Sequence, residues 1–199
     1  MSRYIQTGSL WLTEHRNTAK MNMKDSFMLS HPAFCDRNIG ICRYCYSRRM
    51  SNYRPNLKAK QESNSCILSD ENFVPSKIYT IDGTLRWSST GEIENKTQYN
   101  NICRMAEENP HIQNVLWTKR AGLVRDRKKP DNLTLVWSAT KLDVKNPFVP
   151  YGFDIGFFCY TKRELMPFFS HECRKSCSEC SFCYSKGAVG LVCELVRTK

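Results

Sequence analysis

Long apolar runs are missing from this chain. None approaches the roughly 20 residues that a bilayer-spanning helix needs, and the opening MSRYIQTGSLWLTEHR has no apolar core of the secretory type. The expectation is a soluble chain kept in a cytoplasm. Histidine is scarce, and the spacing of His15, His31, His111 and His171 makes neither a Ser-His-Asp arrangement nor a histidine metal pair. A glycine-rich phosphate loop is absent too, so hydrolase and nucleotide-phosphate classes drop out. Acidic residues are outnumbered, 19 against 30 Lys plus Arg, for a formal net charge of +11. That excess predicts attraction to polyanions such as nucleic acid, or to an acidic partner protein. Its clusters are Arg43, Arg48, Arg49 and Arg125, Arg127, Lys128, Lys129, a pattern that a solvated surface also produces. There is no internal repeat and no low-complexity tract. At 199 residues and 41% hydrophobic content, one domain with a real core is expected.

What the chain does have is sulfur. It carries 11 cysteines, and in a reducing compartment clustered cysteines read as metal ligands before disulfides. Cys35, Cys42 and Cys45 share one short loop, FCDRNIGICRYCYSRR, after the apolar run Phe27-Met28-Leu29. Soft thiolates favour iron-sulfur or zinc over hard cations, and three of them hold three irons of a cubane while leaving the fourth corner open. Zinc completed by a distant ligand, or three unrelated core cysteines, are the alternatives. The second group, Cys173-x3-Cys177-x2-Cys180-x2-Cys183, is similar to bacterial ferredoxin loops and suits a further 4Fe-4S cluster. Four thiols also satisfy a zinc tetrahedron, so zinc stays open at this site. His171 stands near enough to replace Cys173, though an exposed polar residue is its ordinary reading. One member of the second group could instead complete the first cluster and close its open corner. Cys66, Cys103, Cys159 and Cys193 stand alone, and a small buried hydrophobe is the ordinary reading of each.

Along the chain, residues 1–24 read as a lead-in with one short strand, and Ser26 to Ser30 as the first clear strand, ended by Pro32. After Cys45 a polar helix runs to the residue before Pro55, followed by an exposed helical turn; residues 60–76 carry no signal. Ile78 to Thr80, Thr84 to Ser88, Asn114 to Thr118, Leu133 to Ser138, Gly156 to Tyr160 and Val189 to Val196 read as strands. Residues 95–108 place Tyr99, Ile102, Cys103 and Ala106 at helical spacing, with Asn109-Pro110 as the stop. Lys119 to Arg127 is a short basic connection, and Lys162 to Phe169 a turn broken at Pro167. Alternation of helix with near-continuous apolar strand predicts a mainly parallel α/β sheet. Its chemistry then collects at the carboxyl ends of the strands: the first cysteine loop, Gly91-Glu92, Thr118-Lys119 and Ser138 to Lys141. Trp87, Trp117 and Trp137 occupy matching places in three strands, as core or as a pocket wall. The expected layout is a cluster-binding core, residues 1–170, with a cysteine-rich extension, residues 171–199, packed on it as one domain.

Strand, three cysteines ending in Cys-x-aromatic-Cys, then a strand ending in Gly91-Glu92 resembles the radical S-adenosylmethionine superfamily, except that its usual first spacing of three residues is six here. From Met23 to Tyr184, the order MKDSFMLS, CYSRR, RWSSTGE, VLWTK, LVWSATKLD and CSECSFCY is similar to the phage-encoded "gene product 88" proteins. The resemblance implies a partial parallel (β/α) barrel and a 4Fe-4S cluster on Cys35, Cys42 and Cys45. It implies Tyr44 against an adenine and Gly91 and Glu92 at the amino group of S-adenosylmethionine; Lys119, on the same face, would meet a carboxylate or phosphate. Radical chemistry on an undefined substrate is one outcome. A non-catalytic cluster or zinc module that binds nucleic acid or a host protein is the other, and the compartment would be the host cytoplasm.

Overall fold

The computed structural model describes residues 2–15, 26–31, 40–78, 83–174 and 177–196. Its frame is a nine-stranded sheet in the order β1-β2-β3-β4-β5-β6-β7-β9-β8. β1 (Ser2–Thr7) and β2 (Leu10–His15) form an antiparallel hairpin, and β2 runs antiparallel to β3 (Ser26–Phe27). From β3 onward every pairing is parallel: β4 (Thr84–Trp87), β5 (Gln113–Thr118), β6 (Leu133–Leu142), β7 (Ile155–Tyr160) and β9 (Gly190–Leu195), with β8 (His171–Glu172) at the edge. All six residues of β7 are buried, as a central parallel strand covered on both faces requires. Among the described residues no helix is long and apolar enough to cross a membrane.

Helices fill the crossovers. α1 (Tyr46–Tyr53) and α2 (Pro55–Leu68) follow β3, α3 (Lys96–Glu108) follows β4, α4 (Ala121–Val124) follows β5, and α5 (Cys177–Cys180) lies between β8 and β9. α3 starts where Asn95 caps it, its side chain accepting from Gln98 N at 2.8 Å. Its buried stripe is Tyr99, Ile102, Cys103 and Ala106, the stripe that the spacing predicts. These residues pack with Leu85, Trp87, Leu116, Leu133 and Leu135 on one face of the sheet. Period-two alternation sends Val115, Val136, Ile155, Phe157 and Val192 to the other face. There, among the described residues, no long helix covers them. Ile41, Cys173, Cys177, Phe182, Cys183 and Tyr184 do, so the cysteine-rich segment supplies that half of the core.

Several expectations are corrected. Residues 1–24 hold a full hairpin in place of one short strand. The exposed turn after Pro55 is the fourteen-residue α2, buried along Leu57, Gln61, Asn64, Ser65 and Leu68. β6 continues through Lys141 to Leu142 with an irregular register after Ser138, so Ser138 to Lys141 belong to the strand and do not follow it. Tyr79 and Thr80 lie outside the described residues, and Lys162 to Phe169 contains only the tight turn Arg163–Leu165.

Candidate metal centre

At the carboxyl end of β4 the backbone turns at Gly91 with φ 77°. A side chain there would overlap the carbonyl oxygens of Leu29 and Ser30, because the turn is laced to the chain leaving β3. Leu29 N donates to Thr90 O at 3.0 Å and Glu92 N to Ser30 O at 3.1 Å. Glu92 is buried and ties this turn to β5. Its Oε1 accepts from Thr118 Oγ1 at 2.6 Å and Ile93 N at 2.9 Å, and its Oε2 from Lys119 N at 2.8 Å. Burial pushes the Glu92 carboxyl up, against the pull of those donors and of the Lys119 charge. Lys119 Nζ reaches across to Ser138 Oγ at 2.7 Å.

These contacts make Glu92→Gln a defined perturbation. An amide leaves one donor unmatched or opposed, which costs about 1–3 kcal/mol of stability. The sign with pH follows from the raised carboxyl: the native state holds the proton more firmly, so that contribution is present in acid and lost as pH rises through the native pKa. The stability gap between the wild-type chain and Glu92→Gln should therefore narrow as pH rises, measured by denaturant melts across the acid-to-neutral range.

The first cysteine loop is described from Gly40. Gly40, φ 45°, sits against the Thr140 carbonyl of β6, where a Cβ would overlap it. The following turn, Gly40–Tyr44, half-buries Cys42 and Cys45, with Cys45 N donating to Cys42 O at 3.2 Å. Cys35 and the Tyr44 side chain lie outside the described structure.

The second group is described in full. Cys173, Cys177, Cys180 and Cys183 line one cavity of about 310 Å³ against the sheet face formed by Arg86, Trp117, Ser138, Phe157 and Val192. Cys173 is anchored by its N–H to Cys193 O at 2.8 Å, and the α5 turn closes with Ser181 N donating to Cys177 O at 3.0 Å. His171 also lines the cavity: its Nε2 is 3.1 Å from Cys180 Sγ, and its ring stacks on Phe182 with centroids 4.4 Å apart. Burial, reinforced by the Glu194 carboxylate and the neighbouring thiols, pushes Cys173 up to about 11; burial and the neighbouring thiols push Cys183 up to about 12, with Arg86 pulling the other way in both. Among the described residues, no three His, Cys, Asp or Glu side chains are drawn close enough together to hold a metal ion.

Of the lone cysteines, Cys103, Cys159 and Cys193 are buried as expected, but Cys66 is exposed on α2. In the metal-free chain near neutral pH, Cys66 should react with iodoacetamide well ahead of Cys173 and Cys183. A thiol raised from 9.0 to about 11 has an about 100-fold smaller thiolate fraction. Peptide mapping of a time course checks the order.

Sequence reasoning missed Arg86 and Tyr184 and grouped the tryptophans wrongly. Register pairs Arg86 with Val115 and Trp87 with Leu116, and β5 pairs with β6 so that Trp117 faces Val136 and Thr118 faces Trp137. Trp117 therefore looks into the cysteine cavity, while Trp87 and Trp137 look to the opposite face. The missed signal was an arginine inside the apolar strand TLRW, which alternation places on the other side from its neighbours. Part of the basic surface is already paired within the chain: Arg127 with Glu107 at 2.6 Å, and Lys129 with Asp154 at 3.3 Å.

Comparison with known proteins gives one family. A family model described as gene product 88 matches residues 6–151. No curated protein and no solved structure matches the chain.

Proposed function

Since this chain belongs to the gene product 88 family, and its four C-terminal cysteines share a cavity outside the matched residues, we propose that it is an iron-sulfur protein whose Cys173, Cys177, Cys180 and Cys183 hold a 4Fe-4S cluster. The cavity itself carries the reading: four thiols, with Arg86, His171 and Glu194 beside them, line about 310 Å³ of space. A lone zinc wants its sulfurs converging at about 2.3 Å on one point. Thiols spaced round a larger void suit an inorganic core with several metal atoms. The donor set fits as well, because soft thiolates are the iron-sulfur ligand and Arg86 offsets the negative charge that four of them bring.

The first loop extends the proposal. Cys35, Cys42 and Cys45 would hold a second cluster with an open iron corner, which when bound supplies one-electron cleavage of S-adenosylmethionine. Two features support it. The parallel strands β3, β4, β5, β6, β7 and β9 lie side by side in chain order, as in a partial (β/α) barrel. Gly91 and Glu92 stand at the end of β4 beside the chain that leads from β3 to this loop. Glu92 Oε2, which accepts from Lys119 N, keeps lone-pair capacity for an ammonium donor, and Lys119 neighbours it.

Two arms test the reading. Anaerobically purified protein should be brown, with iron and acid-labile sulfide in equal amounts. Incubation with dithionite and S-adenosylmethionine should then release deoxyadenosine; a brown protein that releases none retains the cluster proposal and removes the radical one.

A further inference from the structure

Six buried polar side-chain atoms have no hydrogen-bond partner among the described residues, and three of them, Arg86 Nε, Trp117 Nε1 and Tyr184 Oη, belong to residues that line the cysteine cavity. Buried polar groups are normally paired, so three orphans at one cavity point to something that accepts from them there. Their arrangement is fixed by the fold. The Arg86 guanidinium lies 4.6 Å from the centre of the Trp117 ring, Trp117 is held edge-on by Phe157 at 4.7 Å, and Tyr184 is 5% exposed. Tyr184 stands beside Cys177, Cys183 and Arg86, and its hydroxyl meets the Arg86 side chain in a contact short of full hydrogen-bond geometry.

We propose that Arg86, Trp117 and Tyr184 are the donors that set the reduction potential of the cavity's occupant, giving N–H and O–H bonds to the sulfur atoms of the cluster held by Cys173, Cys177, Cys180 and Cys183. The inference rests on the cluster reading above and adds to it. All three groups are donors, Arg86 being a donor only, and sulfide and thiolate sulfur are acceptors. When dithionite gives the cluster one electron, its negative charge grows by one, and a fixed cation and aligned donors stabilise the reduced form more than the oxidised one. They therefore raise the potential, as positioning residues that do not themselves bind iron.

Tyr184→Phe, Trp117→Phe and Arg86→Gln separate this role from a structural one. Tyr184→Phe removes only an orphan hydroxyl and Trp117→Phe keeps an aromatic ring against Phe157, so the metal-free chains should melt no lower than wild type in the first case and near it in the second. In anaerobic protein with unchanged iron and sulfide, each should lower the midpoint potential, measured by titration with dithionite and followed by visible absorption. Arg86→Gln should lower it most, by about tenfold in the oxidised-to-reduced ratio at fixed poise, which is about 59 mV for one electron. If Arg86→Gln fails to fold, the two phenylalanine variants carry the test. Full cluster content with potentials equal to wild type overturns the inference and leaves the cluster proposal standing. A wild-type protein without iron and sulfide overturns both.

Discussion

A chain carrying Cys177→Ser and Cys183→Ser is expected to emerge from anaerobic purification with the C-terminal cluster gone, and with it the corresponding share of iron and sulfide. Loss of an outer partner of a metal ligand alone costs about 10- to 100-fold in metal affinity. Removing two of four sulfurs at one cavity should therefore cost more than about 100-fold. Cys66→Ser is the control, because that thiol is exposed on α2 and does not line the cavity. Comparison with Cys42→Ser, Cys45→Ser tells the two cluster arrangements apart. Independent clusters lose iron separately, half with each pair. A single cluster shared between the groups loses all of it with either pair. Because metal uptake is coupled to folding where ligands build the core, and Cys173, Cys177 and Cys183 help to cover one sheet face, the double variant should also melt at lower temperature than the loaded wild type.

Gly91→Ala should be strongly destabilising. The left-handed backbone, φ 77°, costs an alanine about 1–2 kcal/mol by itself. The added Cβ also overlaps two carbonyl oxygens, Leu29 O and Ser30 O, which are backbone atoms held in place by Leu29 N to Thr90 O and Glu92 N to Ser30 O. The turn has to move away from β3, and Glu92 loses its register with Thr118 and Lys119. At about 2–4 °C per kcal/mol for a chain of this size, the melting temperature should fall by at least about 5 °C. Gly122→Ala, where nothing lies within reach of a Cβ, should leave it unchanged or raise it.

How much of this was readable in advance depended on where polarity sat. α3 and the strands β4 to β7 and β9 were legible because their buried positions are apolar and periodic: Tyr99, Ile102, Cys103 and Ala106 on one, Val115 and Leu116 or Phe157 and Phe158 on the others. α2 was not, because its buried face is largely polar. Asn64 bonds Trp11 N and O and Met28 O, Ser65 Oγ accepts from Ser30 N, and Gln61 links Ser51 to Thr90. Those side chains splice the helix to strand ends, a role that a hydrophobicity pattern does not register. The β1–β2 hairpin escaped for a related reason: in MSRYIQTGSLWLTEHR the polar residues interrupt the alternation, and the turn at Gly8, φ 59°, was the remaining cue. The cysteine spacing singled out the four thiols that share the cavity, yet the sheet's contribution to it came only from register. Arg86, Trp117 and Phe157 are far apart in sequence and meet because parallel pairing brings matching strand positions onto one face.

Acid-labile sulfide per chain, determined together with iron and zinc on protein purified without oxygen, bears most directly on the claim that sulfur from residues 173, 177, 180 and 183 encloses an inorganic core. About four sulfides and four irons per occupied site are predicted, the sulfide falling with Cys177→Ser, Cys183→Ser. A colourless chain with one zinc and no sulfide, or with neither metal, contradicts the account.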